Sequence, residues 1–114
     1  MRRQLIETSA IEVANQVRAV EDSIEAALIE LAELQLRMIR ARSIAGVGMT
    51  TGHAGIEQVA TALNSLVTAR GGMAACHTEL LAAKQMVPGL RTVSFGDGQC
   101  PPSSAELAQL RVVG

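Results

Sequence analysis

At 114 residues the chain is one domain, since domains usually run to about 100–200 residues. Hydrophobic residues make up 48% of it, yet it holds one aromatic side chain, Phe95, and no Trp or Tyr; a core of Leu, Ile, Val, Met and Ala suits long helices better than sheets. A net charge of −1 gives no reason to expect a nucleic-acid partner.

The N-terminus starts basic, at Arg2 and Arg3, but reaches Glu7 before any apolar run forms, which argues against a secretory signal. No uncharged apolar stretch approaches the roughly 18–20 residues of a membrane span, so a soluble protein is expected. Two cysteines, Cys76 and Cys100, are too few for a disulfide framework and best fit a reducing, cytoplasmic setting, with a single bridge between them as the alternative.

The first long segment has a regular apolar spacing. Ile6, Ala10, Val13, Val17, Val20, Ile24, Ala27, Leu31, Leu34, Met38 and Ala41 alternate steps of four and three, a heptad seam widened by Ile11, Leu28 and Ile39. This predicts a helix over 5–45 that fades where Gly46 enters. Ser9 and Glu12 have the spacing of a capping box, although the seam already includes Ile6.

Next comes a glycine-rich connection, 46–53. It fits neither G-x-x-x-x-G-K-[ST] nor G-x-G-x-x-G. It reads as a turn whose glycines supply positive φ, with Thr50 or Thr51 capping the following helix. An alternative is weak anion binding by Arg40, Arg42, Thr50, Thr51 and His53 at the start of that helix.

A second periodic segment contains Ile56, Val59, Leu63, Leu66, Ala69, Met73, Cys76, Leu80, Ala83 and Val87, and Pro88-Gly89 ends it. It predicts a helix over 54–87. Gly71-Gly72 lies in its middle, but the apolar phase runs through without slipping, which favours one helix, bent or straight. Ser65, Ala69, Gly72 and Cys76 form a small-residue stripe for close helix packing; the competing reading is a flexible hinge.

Residues 89–114 are a different kind of chain. Val93 and Phe95 alternate with polar residues, Gly96-Asp97-Gly98 turns, and Pro101-Pro102 stiffens. Ser103-Ser104-Ala105-Glu106 could cap a short helix over 104–111 carrying Leu107 and Leu110. An extended arm ending in that helix is expected.

Two long helices joined by a short turn should fold back as an antiparallel hairpin. A turn centred near Met49 sets Glu57 opposite Arg40 and Arg42, Arg70 opposite Glu25 and Glu30, and His77 opposite Glu21 and Asp22. It also sets Glu79 opposite Arg18, Lys84 opposite Glu12 and Arg91 opposite Glu7. Exposed pairs of this kind contribute about 0–1 kcal/mol, so they choose register more than they stabilise. The size and hairpin plan are similar to the small helical-hairpin proteins of the WXG100 secretion family, but the turn holds no Trp-x-Gly and the chain no tyrosine, so the likeness is one of architecture.

No catalytic, cofactor or metal-binding pattern emerges. His53 and His77 are the only histidines, and Cys76 and His77, as neighbours in a helix, point about 100° apart. Two helices also cannot cover each other's apolar faces. Leu28, Ile39, Ala60, Leu66, Val67, Ala74 and Leu81 are therefore expected at an oligomer interface, in a homodimeric four-helix bundle or against a helical partner. The expected fold is all-α, and the expected function is that of an interaction or structural module, with a small-molecule or anion-binding bundle as the alternative and an enzyme ranked last.

Overall fold

The computed structural model describes residues 2–90; the expected arm and short helix at 91–114, with Phe95 and Cys100, lie outside them. Helix α1 spans Arg2–Ala45 and helix α2 spans His53–Met86, and the two pack as an antiparallel hairpin. Among the described residues there is no strand.

Helix α1 begins three residues earlier than the spacing predicts, which puts Ser9 and Glu12 inside it rather than at its start. It stops at Gly46, whose φ of 68° no other residue type adopts cheaply and whose N–H donates to the Arg42 carbonyl at 3.1 Å. Helix α2 runs unbroken through Gly71 and Gly72. Thr61, Thr68 and Thr78 each donate a hydroxyl hydrogen bond to the carbonyl four residues earlier, which lets threonine sit inside this helix with its polar group satisfied.

Arg70 bonds Glu25 across the hairpin, and His77 Nδ1 lies 3.5 Å from Glu21 Oε2. Both contacts are those that the facing charges predict. Two other carboxylates pair elsewhere: Glu57 with His53 at 2.9 Å and Glu7 with Arg3 at 3.4 Å, each within one helix turn.

The seam itself is rotated by one residue from the predicted one. In α1 a half-buried row of Ala10, Ala14, Val17, Glu21, Ile24, Leu28, Leu31, Gln35, Met38 and Arg42 steps by four and three, with Ile6, Glu7, Arg18, Val20 and Ala27 half-buried beside it. Five of these were expected in the seam, but Ala14, Gln35 and Arg42 take the place of Val13, Leu34 and Ala41, while Glu21 and Leu28 are half-buried beside Val20 and Ala27. On α2 the side facing α1 holds Val59, Leu63, Leu66, Met73, His77 and Lys84. The rotation lets Glu21 and Glu25 reach α2, and Arg42 reach the loop. Its cost is that Val13 and Leu34 stand 48% and 46% exposed.

The small-residue stripe does not face α1 within the hairpin. Ser65, Ala69, Gly72 and Cys76 are all exposed, and a Cβ built on Gly72 would meet nothing within 4 Å. Within the chain they pack against no neighbouring backbone. The tight approach is at Gly55 instead, where a Cβ would lie 3.2 Å from Met38 Cε.

The open space around Gly71, in mid-helix and with ordinary φ, gives a direct test. Gly71→Ala is expected to stabilise the protein by about 0.5–1 kcal/mol, because alanine loses less backbone entropy on folding. Chemical denaturation would measure it; a destabilised variant would contradict a continuous, uncrowded helix there.

Candidate functional site

Two places collect the residues singled out by the sequence: the hairpin tip and the apolar flanks. At the tip, Arg42 in the last turn of α1 is half-buried and acts as a clamp. Its Nε donates to the Thr51 carbonyl at 2.8 Å and its Nη2 to the Gly48 carbonyl at 2.7 Å. The planar guanidinium suits this task, since one fork can hold two fixed acceptors where an ammonium cannot. A Cβ built on Gly52 would lie 3.7 Å from Arg42 Cδ.

The expected threonine cap is corrected here. Gly52 precedes α2 with φ 77°, no side chain caps the helix, and the Thr51 N–H donates to the Gly48 carbonyl at 3.2 Å. His53, placed in the turn by the sequence, is the first residue of α2, and its Nε2 lies 2.9 Å from Glu57 Oε1. Arg40, Thr50 and Thr51 are exposed. An anion at this tip would therefore meet a guanidinium already donating to loop carbonyls and a carboxylate held by the histidine. The arrangement organises a turn.

Along the body, the hydrogen bond to Glu25, and then its charge, hold the Arg70 guanidinium above its ordinary value. This ties the pair's charges to the hairpin's register. Of the residues expected at an oligomer interface, Leu28, Leu66 and Leu81 are half-buried within the hairpin. Ile39, Ala60, Val67 and Ala74 are exposed.

An apolar groove of about 240 Å³ opens between the helices near their free ends. It is walled by Val13, Val17, Leu80, Ala83, Val87 and Leu90 among others, with Arg18, His77 and Lys84 contributing polar atoms. A second hollow, of about 250 Å³, lies farther along α1 between Val20, Ala27 and Leu66. Sequence reasoning missed both: their walls combine seam residues such as Val17 and Ile24 with neighbours such as Val13 and Val20, a grouping that apolar spacing alone does not give. Among the described residues no three His, Cys, Asp or Glu side chains gather where they could hold a metal ion, and no helix is long and apolar enough to cross a membrane.

Comparison with family models, curated proteins and solved structures finds no match to this chain.

The clamp generates its own test. Arg42→Ala is expected to cost about 1 kcal/mol, the worth of exposed charge-assisted hydrogen bonds, and Arg42→Lys to recover only part of it. Thermal unfolding would show the loss; an unchanged midpoint for Arg42→Ala would mean that the loop holds itself.

Proposed function

We propose that this protein is a small, non-enzymatic helical module that acts as part of an assembly, its hairpin pairing with a second copy into a four-helix bundle that presents a surface to partner proteins. The observation that carries this reading is the inverted distribution of polarity along α1. Glu21, Gln35 and Arg42 lie toward α2, while Val13 and Leu34 lie outward. Within one chain that exchange leaves apolar surface in water. Burial is worth about 25 cal/mol per Å² of apolar surface, so exposed side chains such as Val13 and Leu34 favour association.

A lack of interior supports the same reading. Among the described residues only Val59 and Leu90 are buried, and none has a fully buried side chain. Two helices with so little core resemble half of a bundle rather than a complete one. The free thiol of Cys76 and the absence of a membrane-spanning helix among the described residues fit a cytoplasmic setting.

Light scattering on a size-exclusion column tests the assembly. The expected mass at micromolar concentration is that of two 12.0 kDa chains. A fully helical species with the mass of one chain would contradict the reading.

A further inference from the structure

The chain does not run straight off the end of α2. Val87 caps the helix with extended backbone, at φ −99° and ψ 117°, and the Leu90 N–H donates to the Val87 carbonyl at 3.2 Å. Between them stand Pro88 and Gly89, the latter with φ 90°, the residues that the second and third places of a type II turn favour. Such a turn reverses the backbone. Leu90 accordingly packs back on the helices, 6% exposed, and forms part of the wall of the open-end groove. Whatever follows Leu90 is delivered at the outer end of that groove, heading back along the hairpin.

Length and pattern then match the groove to the next residues of the chain. From Val87 to His77 the groove runs about 15 Å at the rise of a helix, with Val13 and Leu80 of its apolar walls 48% and 37% exposed. Residues 91–95 read Arg-Thr-Val-Ser-Phe, and in extended form they carry Phe95 up to about 17 Å from Leu90, with Val93 on the same face. Phe95 is the one aromatic residue of the chain, and a phenylalanine buries about 150–250 Å² when it finds a cover.

The charges agree with the same placement. Glu7 lines a hollow together with Gly89 and Leu90, and Arg18 stands at the inner part of the groove, about 17 Å farther along α1. Arg91 and Asp97 are up to about 20 Å apart in an extended chain. A segment running parallel to α1 therefore brings Arg91 beside Glu7, which also meets Arg3 at 3.4 Å, and Asp97 beside Arg18.

We propose that residues 91–97 of the same chain fill the open-end groove, with Val93 and Phe95 against its apolar walls. The tether decides the occupant. A segment joined to the groove by a turn sees it at an effective concentration of the order of millimolar, far above that of a free peptide or a second copy in solution. The proposal goes beyond the assembly reading and does not rest on it. It takes Val13 out of the surface open to a second copy and leaves Leu34, which lies about 36 Å along α1 from Ala10 and beyond the segment's reach.

Two measurements on the full chain test this, both with Cys76→Ser and Cys100→Ser. A cysteine at Val13 is expected to be alkylated at least about tenfold more slowly than when Phe95→Asp is added, because the covering segment is then driven into water. Equal rates would overturn the proposal. Cross-linking keeps Phe95 in place. A short bismaleimide is expected to join Val13→Cys to Ser94→Cys within one chain, giving the mass of a single chain under denaturing conditions. The same reaction between Ile11→Cys and Ser94→Cys should be at least about tenfold slower, since Ile11 is as near along the chain but points to the other side of α1. Equal rates at the two positions would mean that the segment does not settle in the groove, and a product of double mass would give the groove to another copy's segment; either result overturns the proposal.

Discussion

A helix in a two-helix hairpin has one neighbour, and that constraint governs the rest of this molecule. Each helix can turn only one stripe toward the other, and an α-helix with apolar residues on a wider arc must leave the remainder in water. Here the arc on α1 includes both Val13 and Ala14, both Val20 and Glu21, and both Leu34 and Gln35. The hairpin closes on Ala14 and Gln35 in preference to Val13 and Leu34, and takes in both Val20 and Glu21. Polar atoms thereby reach their partners on α2, and Val13 and Leu34 are left exposed.

The tip follows from the same economy of contacts. A connection between helices has no core to rest on, so its carbonyl groups need donors from nearby. Arg42 supplies two of them, and Gly46 and Gly52 supply the left-handed backbone that turns the chain. The residues that looked most chemical in the sequence are thereby occupied with structure. Arg42 holds the loop, and His53 meets the Glu57 carboxylate one turn along its own helix.

The hairpin, its register and the continuity of α2 were legible in the sequence. Register was legible because charges at fixed heights must face opposite charges, and Arg70 with Glu25 and His77 with Glu21 obeyed that. The phase of the seam was not. Ala10, Val17, Ile24, Leu31 and Met38 belong to both candidate seams, and hydrophobicity alone favours adding Val13 and Leu34. What decides the phase is the reach of Glu21, Glu25 and Arg42, which no apolar pattern encodes. The clamp had a faint signal: an arginine in the last turn of a helix that runs into a glycine-rich loop full of backbone acceptors. The cap was misread because Thr51 has the right chemistry, but Gly52 follows it with a backbone angle that moves the helix start to His53.

The central claim is that this chain is folded as a pair, so stability and association are one equilibrium. Thermal unfolding followed by circular dichroism over a hundredfold range of protein concentration tests it most directly. A midpoint that rises with concentration is expected, since mass action favours the assembled state. A midpoint independent of concentration, with full helicity retained at the lowest concentration, would show that the hairpin is stable alone and would contradict the claim.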